Sequence, residues 1–218
     1  MTMSNKLTPT MAFAFAIDLV ILICKFLIYQ KMSPQVTQKE DLDIQHLKPL
    51  DKSLFTHLES ILSRTKLSKK AGEEDGKKNN GSFRKGFSQH RADVFGIVKR
   101  RAVNGGGFAI SKISQQKKEL YDELKRIGDQ IVPFKYSSIL VNNNTVCGKH
   151  KDKSNVGKSF LVSIGDYDGC KLVIENKSYS TRYQPLIFNG AKFEHWNTND
   201  LKGNKYSIVY YYIENDIL

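Results

Sequence analysis

Cysteine is scarce in this sequence, and its three copies are scattered. Cys24, Cys147 and Cys170 are the cysteines among 218 residues. They form no C-x-x-C pair, so the sequence predicts neither a disulfide framework nor a cysteine-based zinc motif. The hydrophobic content of 40% and the aromatic content of 11% exclude a wholly disordered chain. The length leaves room for one domain with a hydrophobic core and an appendage.

The sequence also lacks a complete glycine-rich phosphate-binding motif. Gly157-Lys158-Ser159 matches the end of a P-loop, but Asp152 occupies the position of the first glycine. The glycine run that follows Asn104 lacks the G-x-G-x-x-G order and does not lead directly into a helix start. A P-loop is therefore excluded, and the glycine run is interpreted as a flexible connection between two strands.

Acidic residues are few compared with basic ones. There are 22 Asp and Glu against 34 Lys and Arg, which gives a formal net charge of +12. Half of this excess lies in residues 64–91, where nine Lys or Arg accompany three acids. The stretch is rich in Gly, Ser and Asn, which favours a solvated, flexible loop at about 64–93. Contact between this loop and the phosphates of a nucleic acid is the functional alternative.

One long hydrophobic run, residues 11–29, lies near the start of the sequence. Only Asp18 and Lys25 interrupt it, and roughly 20 apolar residues suffice to cross a bilayer core. The run predicts a hydrophobic helix that serves as a single-pass membrane anchor; a cleaved signal peptide and a buried amphipathic helix are the alternatives. A weak excess of lysine after the run favours a cytoplasmic position for the rest of the chain. Residues 30–48 follow as a polar tether.

The remaining sequence, residues 49–218, changes from helical to strand spacing. Leucine and isoleucine recur on one helical face within 50–62 and again within 120–131. Beyond residue 133, short β-type runs alternate with turns rich in Asn and Gly. This order predicts an α+β fold whose core, at about 134–214, is a double-stranded β-helix (jelly roll) buttressed by the preceding helices.

Two histidines and one aspartate form the most informative pattern in the chain. His150 and Asp152 are two residues apart, so on an extended segment their side chains project to the same side. His195 follows later, just before the last long strand run. Two imidazoles and one carboxylate are the ligands of the facial triad that binds Fe(II) and leaves positions open for a co-substrate and O₂. An H-x-D on a surface turn, without function, is the alternative.

A basic residue and a hydroxyl follow the second histidine. Lys205 comes ten residues after His195, and Ser207 lies two residues further on. A cation and a hydroxyl on the same side of a strand suit the distal carboxylate of 2-oxoglutarate. The conjunction of H-x-D, distal His and K-x-S favours the iron site over a surface turn.

These residues carry a resemblance to a known family. The stretch from Val141 to Glu175, with QPLIFNGAKFEHW and GNKYSIVYYY, resembles the 2-oxoglutarate- and Fe(II)-dependent oxygenase superfamily. Within it, the sequence is most similar to the TET/JBP-like branch, whose studied members oxidise methylated pyrimidines in DNA. The resemblance covers about residues 95–213. It implies Fe(II) binding by His150, Asp152 and His195, binding of the distal carboxylate by Lys205 and Ser207, and a co-substrate pocket lined by Asn142 and Asn144.

Two residues depart from the pattern of that branch. Lys205 stands where the branch usually has Arg, which keeps the charge but loses the bidentate fork. Cys170 replaces the second glycine of a glycine pair, which alters the local turn rather than the chemistry.

The resemblance implies an oxygenase that uses Fe(II), 2-oxoglutarate and O₂, with ascorbate as reductant. Such an enzyme oxidises its substrate while 2-oxoglutarate becomes succinate and CO₂. The resemblance and the positive charge favour a nucleobase, such as 5-methylcytosine in DNA, as the substrate. The hydrophobic run favours the alternative, a membrane-associated hydroxylase that acts on a protein (prolyl or lysyl type) or on a small molecule. A degenerate jelly roll that only binds a ligand is the third hypothesis, and the intact triad disfavours it.

Overall fold

Short strands dominate the part of the chain that the structure describes. This computed structural model describes residues 43–68, 91–100, 105–152 and 155–214, all within the unit Asp43–Leu218. The strands are β1 (Ile44–His46), β2 (Arg91–Lys99), β3 (Phe108–Ile110), β4 (Ser138–Asn143), β5 (Val156–Ile164), β6 (Tyr167–Asp168), β7 (Leu172–Ile174), β8 (Lys177–Tyr179), β9 (Leu186–Phe188), β10 (His195–Asn197), β11 (Lys202–Gly203) and β12 (Tyr206–Tyr212). The helices are α1 (Thr56–Arg64), α2 (Lys112–Gln116) and α3 (Lys118–Ile131), and a 3₁₀ turn at Lys52–Phe55 precedes α1.

Capping and apolar spacing explain where the helices lie. The Asp51 side chain accepts a hydrogen bond of 2.8 Å from the Ser53 N–H and so begins the 3₁₀ turn that leads into α1. Helix α3 buries Leu120, Leu124 and Ile127, which recur at helical spacing on one face. These residues confirm the helical periodicity that the sequence predicts for 120–131.

The described strands form three sheets around the core. The largest has seven strands in the order β1-β9-β5-β12-β4-β2-β3, and every pairing within it is antiparallel. A three-stranded sheet has the order β10-β7-β8, and β11 pairs with β6. This mostly antiparallel arrangement with few helices agrees with the predicted jelly-roll core.

Strand β12, in the middle of the large sheet, shows the two faces of that sheet. Ile208 and Tyr210 belong to one core cluster with residues of α1 and α3, and the Tyr210 hydroxyl donates to the Leu124 carbonyl of α3 at 2.8 Å. We call this the helix face. Ser207 lies on the opposite inner face because side chains alternate along a strand, and it pairs in register with Asn142 of β4 and Ser163 of β5.

The inner face packs against the three-stranded sheet. Leu186 and Phe188 of β9 form a second apolar cluster with Leu172 and Ile174 of β7. Asn142 and Ser207 lie on the inner face of the large sheet, and His195 lies on β10 of the three-stranded sheet.

Part of the predicted tether contributes to the fold. Ile44–His46 of the stretch 30–48 form strand β1, which pairs with β9 at the edge of the large sheet. Ile44 packs against the second apolar cluster, which explains why so short a segment takes up a defined position. Of the predicted basic loop at 64–93, residues 69–90 lie outside the described residues.

The prediction of a single-pass membrane protein is corrected. In the described residues, no helix is long and apolar enough to cross a bilayer. The longest of the described helices, α3, has 14 residues and carries charged side chains on its exposed face. The predicted hydrophobic helix at 11–29 lies outside the described residues, so the structure gives no support for a membrane anchor.

Candidate metal centre

His150 and His195 are brought together by their backbones. The two residues form an antiparallel β-bridge, in which the N–H of each donates to the carbonyl of the other at 3.0 Å. Because residues bridged in this way place their side chains on the same side, the two rings lie 4.3 Å apart between centroids. Phe188 of β9 contacts the His195 ring edge to face at 5.0 Å, and this packing helps to bury His195.

Asp152 completes the group from the same segment as His150. Its N–H donates to the Gly190 carbonyl at 2.8 Å, which fixes the backbone next to the loop that leads to His195. Its two carboxylate oxygens lie 3.6 Å from His150 Nε2 and 3.6 Å from His195 Nε2. The three ligand atoms lie within 4.8 Å of one another. The structure thus brings together the three residues predicted to bind iron.

In each histidine ring, Nδ1, the nitrogen farther from Asp152, is hydrogen-bonded to a backbone carbonyl. His150 Nδ1 lies 2.7 Å from the Gly148 carbonyl, and His195 Nδ1 lies 3.0 Å from the Phe193 carbonyl. A carbonyl can only accept, so Nδ1 carries the hydrogen in both rings and Nε2 presents a lone pair. Such contacts orient a metal-binding imidazole and fix its tautomer.

Gly190 and Asn155 shape the space around the Asp152 carboxylate. A Cβ atom at residue 190 would lie 2.6 Å from Asp152 Oδ2, so only glycine leaves this oxygen in place. The Asn155 side-chain amide donates to Asp152 Oδ2 at 3.4 Å and to the Ser159 hydroxyl at 3.2 Å. No local sequence pattern identifies this role of Gly190, because it arises from a contact between segments distant in the sequence.

The donor set fits a ferrous ion. Separations of 3.6 Å are too long for hydrogen bonds between the imidazoles and the carboxylate, and they are short enough for one ion to lie among the three atoms. Two neutral imidazoles and one carboxylate, converging from one side, are the ligand set of an iron facial triad.

Lys205 is a buried cation without a carboxylate partner in the described part of the chain. Its side chain is 2% exposed. The ammonium donates to the Cys170 carbonyl at 2.9 Å and to Cys170 Sγ at 3.2 Å, and it lies 5.4 Å from the centroid of the Tyr167 ring. All of these partners are neutral acceptors or a ring face. A buried ammonium costs free energy unless an anion compensates it, so this position is suited to an anionic ligand.

Ser207 lies in a row of hydroxyl groups on the inner face. Its Oγ lies 3.2 Å from Ser163 Oγ, which in turn lies 2.9 Å from Thr181 Oγ1. Burial raises the pKa of the nearby Tyr167, and hydrogen bonds from Thr181 and Ser163 partly offset that rise. The phenol therefore stays neutral, and its ring centroid lies 5.4 Å from the Lys205 ammonium.

The two asparagines of the predicted pocket have different environments. Asn142 is buried on the inner face, directly opposite Ser207 in the register of β4 and β12. Asn144 contacts the main chain of Lys205: its Oδ1 accepts from the Lys205 N–H at 2.7 Å, and its own N–H donates to the Lys205 carbonyl at 2.8 Å. Asn144 therefore fixes the backbone of Lys205.

Tyr211 is a residue of the inner face that sequence reasoning missed. It pairs in register with Ser138 of β4 as Ser207 pairs with Asn142, so it lies on the same face, although the register of β12 against β5 shifts between Tyr210 and Tyr212. Burial raises the pKa of Tyr211 to about 12, a hydrogen bond with Ser138 lowers it, and the negative charge of Asp152 raises it further. Tyr211 is therefore uncharged at neutral pH, and the Asp152 carboxylate is the smallest of the influences on its pKa. The strand alternation beyond Ser207 was the signal that could have identified it.

No protein-family model matches the chain, and no curated protein matches it. Among solved structures, NgTET1 in complex with 5mC DNA superposes with a TM-score of 0.52 at 17% identity, covering 79% of this chain and 72% of that one. A 2OG-Fe(II) oxygenase family protein from Burkholderia pseudomallei superposes with a TM-score of 0.51 at 12% identity, covering 79% of this chain and 85% of that one.

Both similarities cover 79% of this chain, and they agree with the resemblance seen in the sequence. The chain has the fold of the 2-oxoglutarate- and Fe(II)-dependent oxygenases.

Proposed function

We propose that this protein is a 2-oxoglutarate-dependent Fe(II) dioxygenase. The observation that carries the proposal is the convergence of His150, Asp152 and His195 within 4.8 Å, with both Nε2 lone pairs turned toward the carboxylate. A ferrous ion held there would supply the oxidation of a substrate by O₂, coupled to the conversion of 2-oxoglutarate into succinate and CO₂.

The protein's own residues hold and orient the reactants. The carbonyls of Gly148 and Phe193 fix the two imidazoles, so their lone pairs need little reorganisation to bind a metal. All three ligands lie on one side of the site, which leaves the other side for co-substrate and O₂. The Asp152 carboxylate brings the one negative charge of the ligand set.

Lys205 and Ser207 would bind the distal carboxylate of 2-oxoglutarate. The Lys205 ammonium is buried among neutral partners, so an incoming carboxylate compensates its charge. The Ser207 hydroxyl lies on the same inner face and would donate a second hydrogen bond. A hydrogen bond to a charged group in such a site contributes about 1.5–3 kcal/mol.

Succinate release tests the reaction class. The full-length protein is incubated with Fe(II), ascorbate and 2-oxoglutarate, and succinate is measured by mass spectrometry. Asp152→Ala removes the only carboxylate ligand and is expected to abolish turnover. Asp168→Ala, which alters an exposed carboxylate on β6, is the matched control and is expected to keep turnover. Activity that survives in Asp152→Ala would contradict the assignment of the triad.

The proposed substrate is a nucleobase in DNA, such as 5-methylcytosine. Two observations support it: the chain superposes on NgTET1, which was solved in complex with 5mC DNA, and its net charge is +12. A base in a duplex must be flipped out of the stack before it reaches an active site. Tyr211, which is uncharged and lies on the same inner face as Ser207, is an aromatic side chain that such a base would contact.

Nucleoside analysis tests the substrate. Duplex DNA that contains 5-methylcytosine is incubated with the complete reaction mixture, digested to nucleosides and analysed by mass spectrometry, while succinate is followed in parallel. A hydroxymethyl product that is absent with Asp152→Ala supports the nucleobase. Succinate without an altered nucleoside would contradict it and would indicate a protein or small-molecule substrate for the same oxygenase.

A further inference from the structure

Cys170 and Lys205 form a buried thiol–amine pair, and the proposed reaction has no use for its thiol. Cys170 Sγ lies 3.2 Å from the Lys205 ammonium, and the two residues are 1% and 2% exposed. We propose that oxidation links Cys170 Sγ covalently to Lys205 Nζ, and that this sulfur–nitrogen bond switches off the binding of 2-oxoglutarate. The effect on co-substrate binding rests on the proposed function, whereas the bond itself does not.

The backbone holds the thiol against the amine. Cys170 has a φ of +49°, in the left-handed region that side chains with a Cβ rarely adopt. Its N–H donates to the Asp200 carboxylate at 2.7 Å, which anchors this turn to the loop before β11. Both the carbonyl and the thiol of Cys170 accept from Lys205. Backbone strain of this kind is common at functional sites. At Cys170 it coincides with the contact between the thiol and a second reactive group, the Lys205 amine.

Hydrogen peroxide is the oxidant that the chemistry requires. In the first step, the Cys170 thiol releases its proton to solvent and the thiolate attacks one peroxide oxygen; a sulfur–oxygen bond forms, the oxygen–oxygen bond breaks, and hydroxide leaves. The hydroxide takes a proton from the Lys205 ammonium and leaves a neutral amine. In the second step, the amine nitrogen attacks sulfur, the sulfur–oxygen bond breaks, and the leaving oxygen departs as water with a second proton from nitrogen.

The balance of the two steps is closed. One thiol, one ammonium and one hydrogen peroxide give one sulfur–nitrogen bond, two waters and one proton. Sulfur is oxidised by two electrons and peroxide is reduced. A cysteine sulfenic acid is known to condense with a backbone nitrogen to a sulfenamide, and a neutral amine is a stronger nucleophile than a backbone amide. The 3.2 Å between Cys170 Sγ and Lys205 Nζ places the amine within reach of the oxidised sulfur.

The cross-link removes the group that would bind the co-substrate. Linked nitrogen no longer carries the ammonium charge, and its position is tied to sulfur, so the distal carboxylate loses its cationic partner. Thiol reductants attack sulfur and release the amine, so the effect is reversible. Bound 2-oxoglutarate would draw the Lys205 ammonium into an ion pair and so protect the pair from oxidation.

Peptide mass spectrometry tests the bond directly. The full-length protein, freed of metal with a chelator, is treated with hydrogen peroxide and digested with trypsin. The expected product is a peptide pair joined between residues 170 and 205, with two hydrogens fewer than the separate peptides and no cleavage after Lys205. Dithiothreitol is expected to restore both peptides, and 2-oxoglutarate with Mn(II), in place of Fe(II) because Fe(II) itself reacts with peroxide, is expected to slow the linkage.

Matched variants make the test specific. Cys170→Ala and Lys205→Arg each remove one partner and should give no cross-link, whereas Cys147→Ala keeps both partners and should cross-link like the wild type. Cys170 found as sulfenic or sulfinic acid with Lys205 unmodified would overturn the proposal. So would a cross-link that persists in Cys170→Ala.

Co-substrate binding separates this proposal from the proposed function. Cross-linked protein is expected to bind 2-oxoglutarate at least tenfold more weakly than reduced protein, as measured by calorimetry in the presence of Mn(II) as a redox-inert metal. Cross-linking with no change in 2-oxoglutarate affinity would overturn the switch. Reduced protein that binds no 2-oxoglutarate at all, yet forms the linkage, would overturn the proposed function and leave the bond established.

Discussion

The replacement of Lys205 by methionine should increase the stability of the protein and at the same time lower its affinity for 2-oxoglutarate. Methionine has a similar length and removes the ammonium, which is 2% exposed and contacts only neutral acceptors and a ring face. Without 2-oxoglutarate, the buried charge is a cost, so the free energy of unfolding of Lys205→Met should be higher than that of the wild type. When 2-oxoglutarate is present, the ammonium charge attracts its distal carboxylate, so the loss of this charge should weaken the binding of 2-oxoglutarate.

The size of the binding loss follows from the contacts of the ammonium. Two of its three N–H groups donate to the Cys170 carbonyl and thiol, which leaves one for the distal carboxylate. One charge-assisted hydrogen bond contributes about 1.5–3 kcal/mol. Since 1.4 kcal/mol corresponds to a factor of about ten, the dissociation constant of 2-oxoglutarate should rise about 10- to 150-fold.

Thermal unfolding with and without 2-oxoglutarate measures both effects in one experiment. The wild type should gain stability as the co-substrate concentration rises, whereas Lys205→Met should gain little at the same concentrations. Lys202→Met, which removes an exposed lysine on β11, is the matched control and should behave like the wild type. If Lys205→Met binds 2-oxoglutarate as tightly as the wild type, the carboxylate is held elsewhere and the reasoning is refuted.

Three further changes test other parts of the site. Gly190→Ala should lower turnover more than tenfold with little loss of stability, because the new Cβ would lie 2.6 Å from Asp152 Oδ2 and displace that oxygen. Steady-state kinetics and a melting curve measure the two effects, and an unchanged kcat would show that the close approach of Gly190 to Asp152 is not needed for turnover. Asn144→Ala should raise the KM for 2-oxoglutarate several-fold, since it removes the side-chain hydrogen bond that holds the Lys205 backbone. An unchanged KM would show that Asn144 does not position Lys205 for the co-substrate. The pKa of Tyr211 is about 12 in the folded protein, so stability should fall as pH rises from about 10 to about 12, and Tyr211→Phe should show a smaller fall in urea unfolding.

Much of the candidate site could be predicted from local periodicity in the sequence. His150 and Asp152 on one segment, and Lys205 and Ser207 on another, are pairs two residues apart, and strand alternation places each pair on one side. The structure brings the histidines and the aspartate together as predicted. The helical faces at 50–62 and 120–131 also follow from local spacing, and the structure has helices there.

Contacts between distant segments could not be predicted in the same way. The approach of Gly190 to Asp152, the clamp of Asn144 on Lys205 and the meeting of Cys170 with Lys205 each join residues from different strands or turns. No local pattern encodes such pairs. Strand β1 is a three-residue segment that is ordered by its pairing with β9 rather than by its own sequence, which is why the tether hypothesis did not anticipate it.

Metal binding by the triad is the central claim, and equilibrium dialysis of the full-length protein against Fe(II) without oxygen tests it most directly. The wild type is expected to retain one Fe(II) per chain, more tightly when 2-oxoglutarate is present, whereas His195→Ala is expected to retain none at the same free concentration. His57→Ala, at an exposed histidine of α1, is the matched control and should bind like the wild type. Equal Fe(II) binding by the wild type and His195→Ala would contradict the account.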